Sequence, residues 1–272
     1  MKKIKFLLFV LLALLYVSNA NALIKNDTFT RDGNTYMVTE MIPGTVPGTT
    51  KTYNVAFVSS TNTTVNIPAT VADPHNQYTF NVTAIANNST VPNATSVTMP
   101  NTIVRIEANA FKDGHITSIT IPQSVKEIQS GAFGQMSYLT AINVDAANPN
   151  FRSDNGVLIE KKDSKEWVAA YPLARPDAEY TVPEGVYGVY TNAFQRASYL
   201  TKITLPASLK ESPSTAEFNG YTSAQNLREI AVAAGNTAFK SVDGVLLSAD
   251  GKKLIAYPNG KAGSPSTNPA YQ

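Results

Sequence analysis

Apolar and polar positions along this chain fall into a short pattern that returns at nearly constant spacing. The stretch from Ile116 to Phe133, ITSITIPQSVKEIQSGAF, shows it whole. Ile119 and Ile121 alternate with polar residues, Pro122 follows, apolar Val125 and Ile128 come three and six places after the proline, and an Ala132-Phe133 pair ends at eleven. Aligning on the last apolar residue of each alternating run gives six copies: Val97-x-Met99-Pro100, Ile119-x-Ile121-Pro122, Ile142-x-Val144, Tyr180-x-Val182-Pro183, Ile203-x-Leu205-Pro206 and Ile230-x-Val232. Four of the six carry the proline, and Phe111, Phe133 and Phe194 repeat the aromatic.

Alternation over so short a run predicts a strand with every second residue inward. Proline has no N–H to give to a sheet, so it ends the ladder and starts a return path. One such unit cannot bury its own apolar face, but units stacked in parallel at ~4.8 Å can, with inward Ile, Val and Leu forming ladders. At ~25 cal/mol per Å2 each buried Phe contributes a few kcal/mol, so the recurring aromatics read as core and not as a ligand box. The intervals from Pro100 to Pro122 and from Pro183 to Pro206 are 22 and 23 residues, inside the range of leucine-rich repeats.

A longer period lies on top of the short one. Asn148 to Ile159 returns 88 residues later as Asn236 to Leu247, and each copy closes on Ala-Tyr-Pro, at Ala170 to Pro172 and Ala256 to Pro258. Asp163-Ser164 and Asp250-Gly251 are turn residues between apolar runs, which predicts a β-hairpin inserted in the rung. Such hairpins either cover the core or reach for a partner, and apolar Val157, Ile159 and Val168 favour covering. The repeat after Leu209 departs from register, with Ser212-Pro213 where an apolar residue is due, so an irregular loop is expected from Glu211 to Ser223.

The series of short alternating runs, prolines and Ala-Phe pairs resembles the BspA-like leucine-rich repeat family of bacterial surface proteins. The likeness runs from Ala94 to about Tyr257. The preceding stretch, with Asp32-Gly33, Ile67-Pro68 and Val82-Thr83-Ala84-Ile85, also resembles the start of Bacteroides-type members. Family repeats often carry a Cys three places after the Phe, where this chain has Met136, Ala197 and Tyr221. The resemblance implies a mainly β fold, a right-handed leucine-rich-repeat solenoid of parallel stacked short strands with an N-terminal β-rich cap and inserted β-hairpins. For function it implies adhesion or binding of host proteins, as in some members.

The ends frame that array. Lys2, Lys3 and Lys5 precede an apolar run from Phe6 to Val17 and the small-x-small Ala20-Asn21-Ala22, the arrangement of a cleaved signal peptide over 1–22. The Thr-, Asn- and Val-rich segment 23–93 reads as a β-rich cap over the open end of the stack. Repeats fill 94–260, and Gly-, Ser- and Pro-rich 261–272 reads as a flexible or truncated tail. A secreted, cell-surface or periplasmic location follows, with no integral membrane segment after cleavage.

Composition then removes classes of function. Losing three lysines takes 22 basic residues to 19 against 20 acidic ones, so nucleic acid is not expected as a partner. No cysteine is present, which removes disulfides and thiolate chemistry together. His75 and His115 are the two histidines, forty residues apart and without partners at ligand spacing, so neither metal nor cofactor nor catalytic residue is expected. A pair of glycosidase carboxylates need not be adjacent in sequence, which leaves a glycan hydrolase as one alternative and a structural spacer of the envelope as another. The leading expectation is a non-catalytic binding module for a protein or glycan. Its candidate face is the outward side of the strands: Thr98, Ser118, Thr120, Asn143, Thr181, Lys202 and Thr204. Threonine pairing between rungs gives that face a structural reading as well.

Overall fold

The computed structural model describes residues 23–42, 52–74, 78–211 and 224–262. The expected signal peptide, His75, all but the first residue of the irregular Glu211–Ser223 segment and nearly all of the 261–272 tail lie outside them. Among the described residues there is no helix, and the strands build a β-solenoid.

Two ladders of parallel strands form its opposite sides. One is the alternating runs read from sequence: β4 (Thr64–Asn66) pairs β7 (Ser96–Thr98), β9 (Ser118–Ile121) pairs β11 (Ala141–Val144), and β17 (Lys202–Leu205) lies between β15 (Glu179–Thr181) and β18 (Glu229–Val232). Ile119, Ile121, Ile142, Tyr180, Val182, Ile203, Leu205 and Ile230 are buried, as the alternation requires. The first rung starts earlier than Ala94, because β4, at the head of the Val65-x-Ile67-Pro68 stretch expected to be cap, already pairs with β7.

The return path carries the second ladder. In the N-terminal part β1 (Thr28–Arg31), β2 (Asn34–Ile42) and β3 (Thr52–Ser60) run antiparallel, β5 (Thr70–Ala72) pairs antiparallel with β6 (Thr79–Thr90), and β3, β6, β8 (Arg105–Ile106) and β10 (Glu127–Ile128) are parallel. The apolar positions three and six places after Pro100 and Pro122 therefore border or enter strands of the return path. Phe111 meets the cap's Phe57 at 6.0 Å, and Phe194 meets Tyr171 at 5.5 Å. Phe111, Phe133 and Phe194 are thus core, and aromatics from other elements complete the surroundings of Phe111 and Phe194.

Each long-period insertion is larger than the expected hairpin. The first is a three-stranded meander, β12 (Phe151–Asp154), β13 (Val157–Lys162) and β14 (Lys165–Ala170), whose last strand pairs in parallel with β16 (Val186–Val189). The extra turn is Asn155-Gly156, both with positive φ (48° and 88°), the conformation a tight two-residue hairpin favours and Asn-Gly supplies. β19 (Phe239–Val242), β20 (Val245–Ser248) and β21 (Leu254–Ala256) repeat the meander.

The first meander runs through the solenoid. Val157, Leu158 and Ile159 are all fully buried, and because successive strand residues point to opposite faces they enter different cores. Leu158 joins Phe151, Ile121 and Phe133 in the N-terminal core. Val157 and Ile159 join Val186, Phe194 and Ile203 in the C-terminal one. β13 is a partition between two apolar compartments.

A buried asparagine anchors the meander to the preceding rung. The Asn148 side-chain amide donates to the carbonyls of Pro122 (2.7 Å) and Val125 (3.2 Å), and its oxygen accepts from the amides of Asn150 and Phe151. Asn236 repeats this with Pro206, Leu209, Ala238 and Phe239.

Candidate functional surfaces

The residues expected to form a binding face do share one side of the molecule. Asn143 stands beside Thr120 and Ser118 beside Ala141, while Thr181 pairs with Thr204 and Lys202 with both Glu179 and Glu229. Thr98 lies across from Asn66. Thr98, Ser118, Thr120, Asn143 and Thr181 are exposed, and Lys202 and Thr204 are half-buried.

Two features distinguish this face from the smooth strip the sequence suggested. The first is an interruption: the Ile142 N–H donates to the Gly156 carbonyl at 2.8 Å and Ser153 Oγ to the Ile142 carbonyl at 2.7 Å. The Asn155-Gly156 turn therefore occupies the free edge of β11, with Arg175 donating to the Asn155 carbonyl and pairing with Asp177 at 2.5 Å. The second is an ion pair, Lys202 to Glu229 at 3.1 Å, whose hydrogen bond raises the Lys202 pKa.

Hydroxyls on neighbouring positions have different work. Thr140 Oγ1 donates to the Thr117 carbonyl at 2.9 Å and Thr201 Oγ1 to that of Ala178 at 2.9 Å, while Ser124 and Ser208 tie rungs on the return path. These side chains staple one turn to the next. By contrast Thr98, Thr120, Thr181, Thr204 and the Asn143 amide make no side-chain hydrogen bond to another described residue.

A second surface, on the return path, was not found by sequence reasoning. Trp167 of β14 lies across from Gly188 of β16, and a Cβ on Gly188 would collide with its indole. The indole stacks on Tyr190 (centroids 5.0 Å, planes 9° apart) and meets Tyr187 edge-on at 5.5 Å. Lys165 Nζ sits 3.7 Å from the Tyr187 ring centre, and the Tyr187 hydroxyl pairs with Glu211 at 3.0 Å. Burial first, and then hydrogen bonding to Glu160, pushes the Tyr190 hydroxyl pKa up. The available signal was slight, a lone tryptophan at an outward position of β14 and a glycine between two tyrosines, Tyr187 and Tyr190, on a strand.

Tyr190 also borders a cleft of about 440 Å3. It opens where the parallel ladder is broken: β10 is the last strand of the N-terminal sheet, and β14 with β16 belongs to another. Half-buried Ile128, Ala169 and Ala170, over the buried Phe133, Phe151 and Leu158, form its apolar floor, and Gln129, Ser130, Glu160, Lys162, Asn192 and Gln195 contribute polar groups. His115 is exposed and rests on Tyr138 with ring centroids 4.7 Å apart. Among the described residues no three His, Cys, Asp or Glu side chains gather as a metal site, and no helix is long and apolar enough to cross a membrane.

No curated protein matches the sequence. Solved structures similar to the chain include a leucine-rich cell surface protein from Faecalibacterium prausnitzii (16% identity, 80% of this chain and 85% of that one, TM-score 0.42), a leucine-rich repeat protein from Eubacterium ventriosum (16%, 76% and 72%, 0.40) and the pneumococcal vaccine antigen PcpA (17%, 76% and 70%, 0.36). The sequence itself matches the BspA type leucine-rich repeat region in six copies over residues 50–154 and 178–243, more than half its length. The chain belongs to the BspA-type leucine-rich repeat family.

Proposed function

We propose that this protein is a cell-surface binding module, non-catalytic, that holds a macromolecular partner along its outward strand face. The observation that carries the reading is the uncommitted polar set on that face: Thr98, Thr120, Asn143 and Thr181 are exposed and make no side-chain hydrogen bond to described residues, although hydroxyls a few positions away are used to tie rungs together. Repeat solenoids offer extended surfaces of this kind for recognition. An uncharged donor–acceptor array suits a protein or a glycan and offers nothing to a nucleic-acid backbone. Secretion through the signal peptide at 1–22 belongs to the same proposal.

Its test is binding of the secreted chain to purified extracellular-matrix proteins and mucins, compared with a triple variant carrying Thr120→Lys, Asn143→Lys and Thr204→Lys. Loss of binding with an unchanged urea midpoint supports the strand face; undiminished binding removes it. Glu127 and Glu160 both border the cleft, which gives the hydrolase alternative a concrete form. Release of reducing ends from a glycan panel would decide for it, and intact glycans decide for binding without catalysis.

A further inference from the structure

We infer that the cleft beside Tyr190, with the Tyr190 ring backed by Trp167 as its aromatic wall, is a binding site for a neutral oligosaccharide. It is a separate surface from the strand face, so either can fail while the other stands.

The argument begins with why the cleft exists. A continuous stack would set another return-path strand against β10, but the meander begins at this turn and its last strand pairs with β16 instead. The missing strand leaves a hollow whose walls are fixed by two sheets, and at about 440 Å3 it falls within the ordinary range for small-ligand sites, roughly 300–1,000 Å3. Rigid walls lower the ordering cost of binding.

Chemistry selects the occupant. A pyranose ring has faces made of C–H bonds and a perimeter of hydroxyls, each both donor and acceptor. Tyr190 supplies a ring at the cleft, held by the parallel indole of Trp167 on one side. Aromatic side chains of this sort give large contact area at little conformational cost. The perimeter is matched by Gln129, Asn192 and Gln195, whose amides both give and accept, and by the Ser130 hydroxyl. Charge argues against the competitors: the lining has Glu127 and Glu160 against Lys162, too little positive charge to hold a sulfated or uronic-acid sugar. A purely apolar ligand would strand those amides without partners.

Trp167 is the only tryptophan in the chain, so intrinsic emission reports on this wall alone. The test is titration of the intact secreted chain with neutral hexasaccharides of glucose, mannose, xylose and N-acetylglucosamine, read by Trp167 emission and by calorimetry. Heparin and hyaluronan hexasaccharides serve as acidic controls. We expect a saturable signal with at least one neutral sugar, weakened at least about 10-fold by Tyr190→Ala. Because Tyr190 is half-buried, Gln195→Ala and Lys162→Ala are measured in parallel and each should weaken the same sugar, while Thr120→Lys leaves it unchanged. Absence of saturable heat with every neutral sugar up to millimolar concentration overturns the inference. So does binding confined to the acidic sugars, or binding that none of the three cleft variants weakens.

Discussion

Leu158 and Ile159 are consecutive residues of one strand, both fully buried, and they belong to different hydrophobic cores. The meander of the first insertion is therefore a wall through the solenoid, and each of its apolar side chains stabilises one compartment. Truncating either leaves a cavity on one side, so Leu158→Ala and Ile159→Ala should each cost about 2–5 kcal/mol. Their local effects should differ. Hydrogen exchange is expected to rise mainly in β9 and β11 for Leu158→Ala and mainly in β16 and β17 for Ile159→Ala. Equal spreading to both sides would show that β13 does not separate them.

Asn148 concentrates four hydrogen bonds in a site where its side chain is nearly inaccessible, at 3% exposure. Asn148→Ala leaves two carbonyls and two amides to find other partners, and buried unsatisfied groups cost ~1–3 kcal/mol each before relaxation. We expect a loss of about 2–4 kcal/mol by urea denaturation. Asn148→Asp keeps the acceptor but turns a charge toward the Pro122 and Val125 carbonyls, and should lose at least as much at neutral pH. Asn236→Ala should lose less, since its site is more open.

Much of the fold was legible because burial in a strand leaves a period-two record. Ile119 and Ile121 alternate with exposed Ser118 and Thr120, and the proline after each run marks where pairing stops. The partition was legible only in part: Val157-Leu158-Ile159 is an unbroken apolar run, as expected for a strand buried on both faces, but nothing local says which cores it separates. The aromatic wall was not legible at all. Trp167 and Tyr187 are twenty residues apart and meet because β14 pairs with β16 across a register shift between Glu166 and Trp167. Nor does sequence foretell that the Asn155-Gly156 turn interrupts the strand face, since that depends on where a two-residue turn lands in space.

The turn at Asp163-Ser164 offers a gain in stability. Both residues have positive φ, 51° and 60°, a conformation that serine adopts at a cost and glycine does not. Ser164→Gly should raise stability by about 0.5–1 kcal/mol, read as a higher urea midpoint with the same slope. An unchanged midpoint would indicate that strain at Ser164 is already relieved.

Arg152 donates to both oxygens of Glu166, at 2.9 and 2.6 Å, and this hydrogen-bonded contact holds the Glu166 carboxyl below the ordinary carboxylate range. A depressed folded-state pKa means the stabilisation is present above the unfolded value, about 4.3, and disappears as pH falls through the folded one. Both side chains are partly exposed, so the contribution should stay below about 1 kcal/mol. Comparing urea midpoints of wild type and Glu166→Gln, the difference should be largest near neutrality, shrink through the acid limb and narrow with added salt.

Gly188 is the position on which the aromatic wall depends. It faces Trp167 across two parallel strands, and an added methyl would run into the indole ring while also lying 3.1 Å from the Glu211 carbonyl. The strands cannot part without breaking their hydrogen bonds, so the side chain is the softer element and Trp167 should swing off the sheet. Gly188→Ala is therefore expected to cost about 1–3 kcal/mol as an overpacked contact. It should also shift Trp167 emission to longer wavelength and expose the indole to acrylamide. The double variant Gly188→Ala with Trp167→Ala separates the two clashes: removing the indole should return part of the lost stability, and the remainder measures the contact with Glu211. If Gly188→Ala keeps both the midpoint and the emission of the wild type, Trp167 does not lie over Gly188, and the platform that supports Tyr190 at the cleft is absent with it.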